Sequence, residues 1–218
     1  TLAGDDIDTF CESYHWLCRE FVKSELYFRR HNDYEFKTIK EASEHVYDNP
    51  EFMRKYMEGL LVSQVFWANH SEVFRFYLNQ YLPTLKEPFH HLEVGPGHGL
   101  FLCRAAQHPL CQSALGWDIS ESSLNKTAAA LKTLNIDNVQ LTRADVTEAA
   151  EENSSRFDSI VISEVLEHVE DPVGILSNLH KLLSDNGQIF INIPINSPAP
   201  DHIYLWRTPE EVIEFTEN

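Results

Sequence analysis

The chain has 218 residues, 17 basic and 34 acidic, for a formal net charge of −17, and 43% of it is hydrophobic. That composition fills a sizeable core and excludes a disordered chain, a collagen-like repeat and a disulfide-stapled miniprotein. The charge argues against a duplex or long single-strand nucleic-acid binder, which needs a basic footprint, and against docking on an anionic membrane surface.

Taken in chain order, residues 1–88 read as helical. Ile7, Phe10, Tyr14, Leu17, Phe21, Val22 and Leu26 recur at three- and four-residue spacings, the mark of an amphipathic helix over 7–28. Asn49-Pro50 predicts a second helix start, and Phe52, Tyr56, Leu60, Leu61, Val65 and Phe66 continue at helical spacing. Val73, Phe74, Tyr77, Leu78 and Tyr81 follow the same rule, before Pro83 and Pro88 punctuate the exit.

From Phe89 the grammar alternates. Short apolar runs at 90–94, 114–119, 139–143, 157–163 and 188–195 read as strands, with helical segments near 99–107, 121–134, 147–153 and 172–184. Alternating strands and helices with short links predict an α/β fold with a parallel sheet. A last helix is expected near Thr208–Phe215. The acidity is uneven, with 10 basic and 15 acidic residues in 1–88 against 7 and 19 in 89–218. Two regions are therefore expected: a helical lid over 1–88 and a ligand-binding domain over 89–218.

Cys11, Cys18, Cys103 and Cys111 form no CxxC pair, which points to reduced thiols and a cytoplasmic setting. No apolar run approaches the roughly 18 residues of a membrane span, and residues 1–20 lack the pattern of a signal peptide. The first residue is Thr, which suggests a trimmed or processed N-terminus.

The most informative stretch is Leu92-Glu93-Val94-Gly95-Pro96-Gly97-His98-Gly99, between a predicted strand and a predicted helix. Glycines let the backbone turn sharply and approach a ligand, and the helix N-terminus that follows favours an anionic group. A dinucleotide fingerprint needs GxGxxG, and Leu100 after Gly99 breaks that spacing. Three further strand ends carry polar groups: Asp118 after Trp117, Asp145 before Val146, and Ser163-Glu164-Val165-Leu166-Glu167-His168.

This ordered set resembles the motifs of class I S-adenosylmethionine-dependent methyltransferases, over roughly residues 85–215. The resemblance implies a Rossmann-like sheet and an S-adenosylmethionine site made by Glu93, Gly95, Pro96, Gly97, Gly99, Asp118, Ile119, Asp145, Val146 and Ser163. In that scheme Asp118 accepts from the ribose hydroxyls, Asp145 faces the adenine amino group, and Trp117 or Ile119 frames the adenosine. Trp117 fits a core position equally well. The family's sheet normally ends in an antiparallel strand pair, for which the sequence after 215 holds no counterpart, so the expectation is either a piece of a longer protein or a partner that supplies the missing edge.

Glu164, Glu167 and His168 stand at i, i+3 and i+4, so a helical turn would put them on one face. Two carboxylates and an imidazole could hold Mg²⁺, Mn²⁺ or Zn²⁺ and acidify a substrate hydroxyl. The string resembles the Glu-x-x-Glu-His motif of ubiquinone-biosynthesis O-methyltransferases and of small-RNA 2′-O-methyltransferases. In those families the three residues are metal ligands, and the RNA enzymes add a later histidine, echoed here by His202. The alternative is a metal-free pocket in which His168, with Glu164 beside it, serves as catalytic base.

The resemblance makes a small-molecule hydroxyl the expected acceptor, with Tyr14, Tyr47, Tyr56, Phe66 and Trp67 as candidate pocket residues. Methylation at carbon or nitrogen stays open, as do two rivals: methylation of an RNA 2′-hydroxyl, which the −17 charge opposes, and a non-catalytic S-adenosylmethionine-binding module attached to a larger synthase.

Overall fold

A computed structural model of the chain describes residues 2, 4, 6–149 and 156–217. By internal packing the chain divides into two compact units. One holds residues 68–163 and 174–192; the other holds 3–67, 164–173 and 193–218.

The second unit is built on helices. Helix α1 (Ile7–His31) buries Ser13 and Leu17 and ends at Asn32, whose left-handed φ of 54° lets its N–H bond the carbonyl of Phe28. Arg29, Arg30 and His31 lie in its last turn, where cations complement the helix dipole. A short helix, α2 (Ile39–Ala42), starts in a capping box made by Thr38 and Glu41 and runs into a π-turn over Ser43–Tyr47. Helix α3 (Pro50–Phe66) starts where Asn49-Pro50 predicts, the Asn49 side chain accepting from the N–H of Phe52. It packs on α1 closely enough that a Cβ on Gly59 would stand 2.8 Å from Leu17 Cβ. Ser13 donates to Glu58 at 2.6 Å, and Trp67 Nε1 donates to the Tyr14 hydroxyl at 2.9 Å.

The other unit opens with α4 (Ala68–Phe76) and a π-turn at Tyr77–Tyr81, and then enters the sheet. The strands are β1 (Phe89–Val94), β2 (Cys111–Asp118), β3 (Val139–Arg143), β4 (Phe157–Ser163) and β5 (Leu183–Asn192). Their order is β3-β2-β1-β4-β5, and every pairing is parallel. The crossovers carry α5 (Leu100–Ala106), α6 (Glu121–Thr133), α7 (Val146–Ala149) and α8 (Pro172–Leu182). Helix α9 (Pro209–Glu217) lies close to its expected place. Expected helix 147–153 is described only to Ala149, its remainder lying outside the described residues.

Strand β5 departs from its expected span of 188–195. It begins at Leu183, slips register opposite Phe157/Ser159, and ends at Asn192, two residues before Pro194, which has no N–H to donate. The antiparallel pair that normally completes such a sheet is absent among the described residues, where five strands form the sheet.

Helices 68–84 group with the sheet because their aromatics fill one of its faces. Tyr77, Tyr81, Leu82 and Leu85 are buried with Phe89, Phe101, Val161 and Phe190 in one cluster. A second cluster joins Leu102, Cys103 and Ala106 of α5 to Ala114 of β2 and Leu131 of α6. Under the aromatic face runs a buried polar line: the His91 Nδ1 and the Tyr81 hydroxyl both bond Ser159 Oγ, at 2.9 Å each. All four cysteines carry free thiols, and no helix among the described residues is long and apolar enough to cross a membrane.

Candidate functional site

The first candidate site stands at the carboxyl ends of β1 and β2. The order β3-β2-β1-β4-β5 reverses direction between β1 and β4, and on open parallel sheets such a switch point opens a ligand crevice. Gly95, Gly97 and Gly99 all adopt left-handed backbone, with φ of 67°, 50° and 73°. The loop is fixed by Gly95 N–H to the Trp117 carbonyl (2.8 Å), Gly99 N–H to the Pro96 carbonyl (2.7 Å) and Thr127 Oγ1 to the Gly97 carbonyl (2.7 Å). Gly99 is the N-cap of α5, so the unbonded N–H groups of that helix open beside the loop. On β2, a Cβ at Gly116 would stand 2.7 Å from Leu141 and 2.9 Å from Leu102; this close approach was not foreseen from the loop pattern.

Glu93 is fully enclosed, with Oε2 lacking any partner, and burial pushes its pKa well above the usual carboxylate range. Asp118 is half-buried, and desolvation raises its pKa against the hydrogen bonds from Ser120 N–H (2.8 Å) and Ser123 Oγ (2.6 Å). Its carboxylate keeps lone pairs for more donors. Ile119, next to it, is 60% exposed, an uncovered apolar side chain at a strand end, whereas Trp117 is buried against Phe157. Asp145 is exposed and takes Thr147 N–H and Oγ1 on one oxygen, while Val146 is buried. Ser163 Oγ accepts from Asn192 Nδ2 at 3.1 Å. An orphaned carboxylate and a left-handed glycine loop at a helix start suit a ligand with hydroxyl, ammonium and carboxylate groups.

The second candidate site lies in the other unit. Glu164, directly after β4, holds a left-handed φ of 55°, a strained conformation for a residue with a Cβ. A 3₁₀ turn at Leu166–His168 then places Glu167 and His168. The Ile203 and Tyr204 N–H groups both bond the Glu167 carbonyl, tying the 195–207 loop to this turn. The loop is itself closed by an Ile195–Trp206 bridge.

The result is that Glu167, His168 and His202 converge, one donor atom from each lying within 4.8 Å of the others. Nε2 of His168 is 3.5 Å and Nε2 of His202 is 3.8 Å from Glu167 Oε1. Bonds of about 2.1 Å to one tetrahedral ion separate its ligand atoms by about 3.4 Å, so this spacing suits a metal. Both Glu167 oxygens are buried without a hydrogen-bond partner. Burial, then the charge of Glu164, pushes the Glu167 pKa well up, while burial followed by His168 pushes His202 down to about 3. Of the four sequence-derived ligands, Glu167, His168 and His202 form the group; Glu164 acts on it through its charge.

Around this group, Asp201 was not singled out from sequence. The Tyr47 hydroxyl donates to Asp201 Oδ2 (3.2 Å) and the Tyr56 hydroxyl to Oδ1 (2.6 Å). Asp201 is buried, and its adjacency to His202 was the signal the sequence offered.

Comparison with known proteins adds the family. Residues 92–189 match the family model described as "Methyltransferase domain". The ubiquinone biosynthesis O-methyltransferase of Acinetobacter baylyi is 27% identical over 107 residues, 49% of this chain and 44% of the relative. That of Pseudomonas paraeruginosa is 32% identical over 111 residues, 49% of this chain and 45% of the relative. The matched region therefore spans under half the length of these curated relatives. Among solved structures, a Bacillus halodurans protein assigned as a methyltransferase aligns with a TM-score of 0.57, 16% identity and 67% of each chain. The [4+2]-cyclase SpnF aligns with 0.53 and 13%, over 67% of this chain and 54% of its own. At such identities the structures speak for the fold alone. Over residues 92–189 the chain thus matches a methyltransferase domain, and its ordered motifs are similar to those of the class I S-adenosylmethionine-dependent methyltransferases.

Proposed function

We propose that the protein transfers the methyl group of S-adenosylmethionine to a hydroxyl of a small molecule, with a divalent metal at Glu167, His168 and His202. The observation that carries the hydroxyl acceptor is the convergence of those three donor groups. The curated relatives support it in kind, since their names state O-methylation.

S-adenosylmethionine supplies a methyl already activated by its sulfonium charge, so the protein's task is alignment. Glu93 and the Gly95–Gly99 loop would bind its amino-acid end, Asp118 its ribose, Ile119 and Val146 the flanks of its adenine, and Asp145 the adenine amino group. Ser163 closes β4 at the same strand ends. A metal bound by the two imidazoles and the carboxylate would act as a Lewis acid that lowers the pKa of the acceptor hydroxyl. Two nitrogen donors and one oxygen favour Zn²⁺ or Mn²⁺ over Mg²⁺, which prefers all-oxygen sites. Glu164 would keep Glu167 ready to trade its proton for the ion.

The His202 echo favours a second reading, methylation of an RNA 2′-hydroxyl. The −17 charge weighs against it.

The test is methyl transfer from labelled S-adenosylmethionine to a panel of catechols, phenols and short RNAs, with and without EDTA. Labelled small-molecule product that disappears in EDTA and returns with Mn²⁺ or Zn²⁺ is the expected result. Full activity in EDTA would remove the metal from the reading and leave His168 as base. Labelled RNA with steep salt dependence would replace the acceptor. Cofactor binding without transfer to any acceptor would leave a binding module.

A further inference from the structure

We infer that Asp201, held by the hydroxyls of Tyr47 and Tyr56, is a positioning residue that fixes His168 in the tautomer and orientation a metal needs. The inference rests on the metal reading above and adds residues to which nothing yet assigns a role.

An imidazole binds a metal through one neutral ring nitrogen, and the other ring nitrogen must carry the proton and be held by an acceptor. The two histidines of this group both show that division. His202 Nδ1 stands 2.7 Å from the Ser197 carbonyl, leaving Nε2 toward Glu167. His168 Nδ1 stands 3.1 Å from the Asp201 carbonyl and 3.5 Å from Asp201 Oδ2, again leaving Nε2 toward Glu167. Asp201 thus sets two oxygens beside His168 Nδ1, its main-chain carbonyl at hydrogen-bond distance and its carboxylate a little farther.

The carboxylate itself is buried, which would be costly without donors. Tyr56 supplies a short hydrogen bond of 2.6 Å to Oδ1, and Tyr47 one of 3.2 Å to Oδ2. The Tyr47 oxygen also lies 3.2 Å from His168 Nδ1, so it can accept from the ring while donating to Asp201. The two tyrosines come from separate elements, Tyr47 from the end of the π-turn and Tyr56 from α3. An irregular turn of this kind often marks a functional position, and here it aims one hydroxyl at the pair. The placement specifies Nδ1–H on His168 and an unprotonated Nε2 facing Glu167.

A carboxylate that merely braces the fold would affect stability but not ring chemistry, and two readouts on the whole chain separate these roles. In the metal-free protein at pH 8.5, ¹⁵N imidazole shifts should report His168 as the Nδ1–H tautomer. Asp201→Asn, whose amide can donate to Nδ1, should shift His168 toward the Nε2–H form. Calorimetry with Zn²⁺ alone should then show about 10- to 100-fold weaker binding in Asp201→Asn, with Tyr56→Phe losing less. Should Asp201→Asn fail to fold by circular dichroism, the Tyr47→Phe/Tyr56→Phe double variant takes its place under the same criteria.

Wild-type Zn²⁺ binding with an unchanged tautomer and affinity in these variants would overturn the positioning role and leave the metal reading intact. No Zn²⁺ binding by the wild type, with Glu167→Ala and His202→Ala indistinguishable from it, would overturn both.

Discussion

The two sites meet the same geometric demand in opposite ways. In the sheet unit, left-handed backbone falls on Gly95, Gly97 and Gly99, residues that adopt it without strain. In the helical unit it falls on Glu164, where a Cβ makes the same φ unfavourable by about 1–3 kcal/mol. The glycine loop is a backbone site, made by a few consecutive residues at a strand-to-helix junction. The Glu167–His168–His202 group is a side-chain site, assembled from two segments and left with an orphaned buried carboxylate. A backbone site can be stable when empty, whereas burying a carboxyl without a hydrogen-bond partner costs free energy.

The largest expected effect strikes the backbone site. Gly97→Arg puts a Cβ and a long cationic chain where φ is 50° and fills the space a ligand would enter. It should weaken S-adenosylmethionine binding by at least about 100-fold, or about 2.7 kcal/mol, in calorimetry. Zn²⁺ binding should be unchanged, because every candidate metal ligand belongs to the other unit. Parallel loss of both ligands would break the distinction between the sites.

The next effect has opposite signs on stability and on function. Glu167→Met removes an orphaned buried carboxyl while keeping similar volume, so the metal-free chain should gain about 1–3 kcal/mol in urea unfolding. Under the metal reading Zn²⁺ should raise the unfolding midpoint of the wild type and leave this variant unchanged. Destabilisation of the metal-free variant would mean that Glu167 is a satisfied structural residue, not a site in waiting.

These contrasts also explain what was legible in the sequence. The glycine loop and its strand ends could be read because their chemistry is local: glycine spacing, a strand before, a helix after. The start of α3 was legible for the same reason, since Asn49 and Pro50 act on the next three residues. The side-chain site was half legible. Glu167 and His168 are neighbours in sequence, but His202 arrives through a loop closed by Ile195 and Trp206, and periodicity carries no trace of that closure. Tyr47 and Tyr56 were named as pocket candidates, but their common partner Asp201 stayed hidden because hydrogen bonds spanning 145 and 154 residues leave no local pattern. The grouping of 68–84 with the sheet was hidden likewise: the helical spacing of Tyr77 and Tyr81 shows an apolar face but not the strands it covers.

A pH experiment sharpens the comparison from the core of the sheet unit. Burial pushes His91 down to about 3, so the folded chain refuses a proton that the unfolded chain takes up below about 6.5. The sign follows: this contribution is fully present above about pH 6.5 and is lost as pH falls from there toward 3, at about 1.4 kcal/mol per pH unit. Asn at position 91 keeps an amide near the Nδ1 position that bonds Ser159, and it cannot titrate. Urea unfolding of His91→Asn at pH 7, 6 and 5 should therefore show a shallower acid decline. The decline should not vanish, since burial also holds His70 and His98 near 4. An unchanged slope would place water against the Nε2 of His91.

The smallest effect distinguishes two aspartates that the motif order treats alike. Asp118 is half-buried, and desolvation raises its pKa despite the hydrogen bonds of Ser120 and Ser123; Asp145 is exposed, and one of its oxygens already takes both donors of Thr147. A hydrogen bond to a ligand strengthens as water is excluded from it, so the same Asp→Asn change should not act equally at the two positions. Asp118→Asn should weaken S-adenosylmethionine binding about 10- to 100-fold, in the range of a charge-assisted bond lost from a buried site. Asp145→Asn should change affinity by no more than about threefold, because Asn keeps an acceptor oxygen for Thr147 and water competes for the position. Stability should shift by less than about 0.5 kcal/mol, as for other exposed substitutions that keep their local bonds. Equal losses at the two sites would mean that bound ligand buries Asp145 as deeply as Asp118, and that the crevice closes over the adenine end.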